Sequence, residues 1–168
     1  MRIKHYIYML LLTALPLLCG CNNEDDVTEI FTGKLWKLSK ISAEGSHLQI
    51  NYWGADAEGA AFQKSMALLK SGDNFTISFT GGEINNTVGG TFSGKGVTTT
   101  FNGKWQANGE SHKLSMDTNL SGNETDVLAK AFINGLQNVI RYEGDANNLF
   151  IYFSDGQTVK YMGFTPKR

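Results

Sequence analysis

Asn74-Phe75-Thr76-Ile77-Ser78-Phe79 alternates large apolar and small polar side chains without a break. Successive side chains of an extended chain point to opposite faces, so Phe75, Ile77 and Phe79 share one face and the polar residues the other. That is the pattern of a half-buried antiparallel strand. The same period recurs on both sides of it. Upstream, residues 33–41 read as a strand with imperfect alternation: Leu35, Lys37 and Ser39 lie on one face, Trp36, Leu38 and Lys40 on the other. Downstream, strands are expected over residues 87–92, 98–105 and 112–116. A closing meander follows over 139–143, 149–153 and 158–164, turning at Asp145-Ala146-Asn147 and Asp155-Gly156. The chain has 19 glycines and only two prolines, punctuation that suits hairpins.

Two segments leave this period. Residues 57–70 are rich in helix formers, with Phe62, Met66 and Leu69 on one stripe and Gly72 just beyond the end,. Residues 123–137 form a second helix. Asn123 can cap it, Glu124 and Asp126 suit its first turn, and Leu128, Ala131, Phe132, Leu136 and Val139 recur at helical spacing,. Gly135 within it costs ~1 kcal/mol relative to alanine, which points to close packing against the sheet. The expectation is one α+β domain, a curved antiparallel sheet or partial barrel of roughly seven to nine strands with two packed helices. Whether Trp36, Phe75, Ile77 and Phe79 plug the concave face separates a scaffold from a carrier, since an eight-stranded barrel can hold one small ligand.

The N-terminus has its own order. Arg2 and Lys4 precede an apolar run from Tyr6 to Leu18, the layout of a secretory signal. The run is shorter than the ~20 residues needed to span a bilayer. Leu18-Cys19-Gly20-Cys21 resembles a bacterial lipobox, which implies diacylation of Cys21 and cleavage before it. Cleavage there puts small Gly20 at the −1 position, whereas cleavage before Cys19 would put Leu18 there. The boundaries expected are a signal peptide over 1–20, a lipidated acidic tether over 21–28 (Asn22-Asn23-Glu24-Asp25-Asp26 at its centre) and a single domain over 29–168. The acidic run also resembles the export signal by which some gut bacteria move lipoproteins to the outer leaflet.

Removing residues 1–20 takes Arg2 and Lys4 with it, so the net charge moves from −1 to −3. Such a surface offers no strong positive field for nucleic acid. Cys19 leaves with the signal and Cys21 carries lipid, so no thiol remains for a disulfide, a metal or a nucleophile.

Part of the chain resembles a known family. Residues 31–38, Phe-Thr-Gly-Lys-Leu-Trp-Lys-Leu, look like the opening "G-x-W-x-L" strand of META-domain lipoproteins. Phe132, Leu136, Val139 and Tyr142, followed by Asn148-Leu149-Phe150-Ile151-Tyr152, look like that family's closing helix–strand–strand unit. The family's central "G-C-N" turn is absent, with Thr87–Phe92 standing near its place, and the first helix looks like an insertion. Small lipocalin-like barrels are the competing resemblance. Neither family supplies a catalytic residue.

Candidate chemistry is sparse. Residues 89–96, Gly-Gly-Thr-Phe-Ser-Gly-Lys-Gly, fall one residue short of a P-loop. Gly96 replaces the hydroxyl that would hold Mg²⁺, and a strand rather than a helix follows. His47 and His112 lack neighbouring ligands at metal-site spacing. Asp117, Glu124, Asp126, Asp145 and Asp155 sit where acids serve caps and turns. The remaining candidates for ligand contact are aromatic: Tyr52 and Trp53 in a loop, and Trp105 at a strand end, where flat rings can stack on sugars or apolar molecules. The sequence therefore implies no enzyme and no cofactor. It implies a non-enzymatic outer-membrane lipoprotein, held to the membrane by its lipid and exposed at the cell surface. Its partners would be envelope proteins, or a small apolar ligand if the domain is a lipocalin-like carrier.

Overall fold

A computed structural model describes residues 23–84 and 87–167. The signal peptide and Cys21 lie outside the described residues. The alternating stretch becomes β2 (Thr76–Ile84), one of eight strands in a single sheet: β1 (Leu35–Ala43), β2, β3 (Thr87–Lys95), β4 (Thr100–Ala107), β5 (Leu114–Ser121), β6 (Val139–Gly144), β7 (Leu149–Asp155) and β8 (Thr158–Pro166). The order across the sheet is β5-β4-β3-β2-β1-β8-β7-β6, and every neighbouring pair is antiparallel. Two meanders, β2 to β5 and β6 to β8, are thus joined through β1.

The sheet is strongly curved but not closed. Its edge strands are joined by an isolated antiparallel bridge, Lys113 with Arg141, where the Tyr142 N–H donates to the His112 carbonyl at 3.0 Å. Curvature follows from where the large side chains go. Phe92 pairs with Gly103, Gly94 with Phe101 and Gly90 with Trp105, so each of these three interior rings faces a glycine across the β3–β4 ladder. The imperfect alternation of β1 has a physical cause. The register with β8 shifts between Leu38 and Lys40, and this bulge returns Ile41 to the face that holds Trp36 and Leu38. All three are buried.

Among the described residues three α-helices complete the fold: α1 (Asn23–Phe31), α2 (Ala60–Lys70) and α3 (Val127–Gln137). Helix α1 was not expected. It crosses the boundary assigned to the acidic tether, so the tether reading stops short of Val27, which is 1% exposed. Phe31 reaches inward from its last turn and meets the rings of Trp105 (4.7 Å, stacked), Phe79 (4.9 Å) and Tyr142 (4.9 Å). Helix α3 fills the other end. Its Phe132 meets Phe75, Phe101 and Phe164 at 5.6 to 6.2 Å. Its cap lies three residues later than read: Asp126 takes that place, its Oδ1 accepting from the Ala129 N–H at 3.0 Å. A Cβ on Gly135 would lie 2.9 Å from Met162 Sδ and 3.2 Å from Phe153, so the helix does approach the sheet where glycine permits it. Helix α2 is peripheral. Phe62, Met66 and Leu69 are only half-buried, and Ser65 is its buried residue.

The concave face is plugged. Trp36, Phe75 and Ile77 are 0% exposed and Phe79 is 1% exposed.

Candidate functional site

A cleft of about 520 Å³ opens beside α1. Three separate segments build it: the inner turn of α1, the β4–β5 turn with Gly109, Glu110 and His112, and the end of β6 with its turn. Its apolar wall comes from Val27, Ile30 and Tyr142. Tyr142 lies on the inward face of β6 because a register shift between Val139 and Arg141 turns it there. Its ring packs on Phe31 and on His112 (5.6 Å), and burial pushes its hydroxyl up to about 12. At neutral pH it is therefore an O–H donor.

Four carboxylates line this cleft: Glu29, Glu110, Glu143 and Asp145. Two are already matched. Glu143 pairs with Arg141 and accepts from the Tyr152 hydroxyl at 2.9 Å. Asp145 Oδ1 accepts from the Asn147 and Asn148 N–H groups at 2.7 and 2.9 Å. Those bonds, with Lys34 nearby, hold its carboxyl below the usual range; Lys34 itself donates to the Ala146 carbonyl. Glu29 and Glu110 have no ion pair among the described residues.

The aromatic residues singled out by sequence divide. Tyr52 and Trp53 come together, 6.4 Å apart and half-buried. Burial, then the Asp155 charge, pushes the Tyr52 hydroxyl up to about 12, and Lys160 Nζ sits 5.3 Å from its ring. Trp53 is pinned. Its Nε1 donates to Ser65 Oγ at 3.2 Å, and Ser65 Oγ donates to Asp126 Oδ2 at 2.7 Å, which ties the loop to the cap of α3. Trp105 is elsewhere, within β4. It is 3% exposed, stacked under Phe31, with its Nε1 donating to the Thr80 carbonyl at 3.1 Å. No ring face is left there for a ligand.

Sequence reading missed two features. One is the α1 cleft, whose walls lie far apart in the chain. The other is a cross-strand row on the outer face, where Arg141, Tyr152 and Tyr161 stand side by side on β6, β7 and β8. The Arg141 guanidinium lies 3.4 Å from the Tyr152 ring centre and pairs with Glu44 at 2.6 Å; Tyr161 donates to the Ser46 carbonyl at 2.8 Å. This row clamps the loop after β1 to the sheet. A second, shallower groove of about 620 Å³ crosses the outer face of β3, β4 and β5.

The near-P-loop is a strand–turn–strand. Glu124 Oε2 already occupies its amide nest, accepting from Val97 N–H (2.9 Å), Thr98 N–H (3.1 Å) and Thr99 N–H (3.4 Å). Among the described residues no group of three or more His, Cys, Asp or Glu side chains is placed to hold a metal ion. None of the described helices is long and apolar enough to cross a membrane.

A family model described as a domain of unknown function, DUF4847, matches residues 22–166. The chain is also similar to the crystal structure of a DUF4847 family protein from Bacteroides vulgatus. The TM-score is 0.62 at 24% identity, over 84% of this chain and 99% of that one. No curated protein matches. These findings overturn the META-domain resemblance. Phe132, Leu136, Val139 and Tyr142 owe their spacing to a helix running into a strand. Phe132, Leu136 and Tyr142 are buried and Val139 packs against the core, a pattern that any such unit burying one face converges on.

Proposed function

The chain belongs to the DUF4847 family, and we propose that it is a lipid-anchored protein of the bacterial outer membrane, displayed at the cell surface. It works without catalysis, by recognising other molecules at its exterior. The observation that carries this reading is the occupied interior. Rings from α1, α3 and four strands meet inside the sheet, where a lipocalin-like carrier would need an open apolar space of about 300 Å³ or more. Recognition is left to the outside, and the α1 cleft is its best-formed feature.

Support for the anchor comes from the order of basic residues, apolar run and Leu18-Cys19-Gly20-Cys21,. The family match begins at residue 22, directly after Cys21. Each buried CH₂ of an acyl chain contributes ~0.8 kcal/mol, so several chains on one cysteine hold the protein without a span. Helix α1 begins at Asn23. At ~3.5 Å per residue, the α1 end of the sheet would lie close to the bilayer.

Radiolabelled palmitate fed to expressing cells tests the anchor. Label is expected in the wild-type product and not in Cys21→Ala. Label in neither protein, or equal label in both, refutes it.

A further inference from the structure

We propose that the cleft beside α1 binds a small amphipathic organic cation, its apolar body against Val27, Ile30 and the Tyr142 ring and its ammonium or guanidinium group drawn to Glu29 and Glu110. This deepens the surface-recognition reading and rests on it. Three observations converge. The volume of about 520 Å³ is within the range of small-molecule sites. The wall sets the apolar side chains of Val27 and Ile30 beside the polar groups of Glu29, Glu110, His112 and Tyr142.

The second observation is charge. Of the four cleft carboxylates, Glu143 and Asp145 are engaged by Arg141 and by the β6–β7 turn. Glu29 and Glu110 keep theirs unmatched among the described residues. An anionic ligand would meet this field at a cost, and a cation would relieve it.

The third is Tyr142. Its residue is 2% exposed, yet its hydroxyl makes no hydrogen bond to any described residue and is not among the sealed, unpartnered polar atoms. The residue lines the cleft. Its phenol oxygen is free to accept, and an ammonium or guanidinium N–H of a cationic ligand would donate to it. A bare metal ion fits less well, because no cluster of ligating side chains is in place among the described residues.

Titration calorimetry on the full-length, detergent-solubilised protein near neutral pH tests this with tryptamine as the probe, against its neutral alcohol analogue tryptophol and the anion indole-3-acetate. Tryptamine is expected to bind about tenfold more tightly than tryptophol, and indole-3-acetate more weakly still. Tyr142→Phe keeps the ring that packs on Phe31 and should weaken tryptamine about three- to tenfold. Glu110→Gln, at an exposed turn position, should weaken tryptamine alone and leave tryptophol unchanged. Equal binding of the three probes, no binding of tryptamine, or wild-type affinity in both variants overturns the proposal. Cys21→Ala should bind tryptamine like wild type, so failure of the anchor and failure of the cleft are read separately.

Discussion

Glu124 accepts hydrogen bonds from five groups: the N–H of Val97, Thr98, Thr99, Thr125 and Asp126, with the Thr98 hydroxyl as a sixth donor. Burial alone would raise its carboxyl, but the backbone donors outweigh that and the net direction is down. It knits the β3–β4 turn to the entry of α3. Glu124→Gln presents an amide NH₂ to some of these N–H groups, leaving buried donors unpaired, and should cost about 3 kcal/mol near neutral pH. The sign of its pH dependence follows from the lowered value. The contribution is fully present above the ordinary glutamate value near 4.5, and fades as pH falls through the depressed folded value. Urea unfolding at a series of pH values should therefore show wild type and variant converging in acid. A gap that stays constant with pH would mean that the charge is not what matters. In the sequence Glu124 reads as a first-turn acid of the helix. The turn that it actually serves lies about 25 residues upstream, and no local pattern announces a contact at that distance. Trp105 was misplaced for a related reason. Its position at the end of a strand is legible, but not the ring of Phe31 that covers it.

At the scale of elements, the eight strands were legible because each buries one face and so writes the two-residue period into the chain. Even the irregular alternation of residues 33–41 carried information, as the trace of a bulge. Helix α1 was hidden by its composition. Asn23, Glu24, Asp25 and Asp26 read as a solvated tether, and the signal lay in Val27, Ile30 and Phe31 at helical spacing. Those residues make α1 part of the body. Phe31→Ala removes a 0% exposed ring that touches three others and should cost about 3–5 kcal/mol, a large share of the ~5–15 kcal/mol typical of a domain. Were α1 only a spacer, the same change would fall within about 0.5 kcal/mol, as exposed substitutions do. Thermal or urea unfolding separates the two outcomes. The cleft was invisible for a topological reason. Its walls are sequence neighbours of nothing in common, and they meet only because the strand order brings β6 around to β5.

That strand order also sets how the whole molecule opens. Strands β1, β2 and β8 lie in the middle of the sheet with ladders on both sides, and each buries its inward residues completely: Trp36 and Ile41, Ile77, and Met162 are all 0% exposed. Strands β5 and β6 are different. Each is laddered on one side only, and across the seam between them stand a single bridge, the Tyr142 to His112 hydrogen bond and the Thr118 hydroxyl donating to the Leu136 carbonyl of α3 at 3.3 Å. The outer half of β5 is also exposed, from Asn119 to Ser121. Local opening costs least where few buried contacts and few ladders must be broken. Native-state hydrogen exchange should then find the amides of β5 and β6 that donate inward, to β4 and β7, exchanging roughly a hundredfold faster than the ladder amides of β1 and β8. The comparison excludes amides that point into the seam, which have no ladder partner to lose. Equal protection in β5 and β1 would mean that the sheet behaves as a closed barrel in solution. In that case the cleft at the end of the seam would be a rigid notch. If exchange is instead fastest there, the cleft lies on the element that moves at lowest cost, and an occupant bridging α1, the β4–β5 turn and β6 should slow exchange in β5 and β6 selectively.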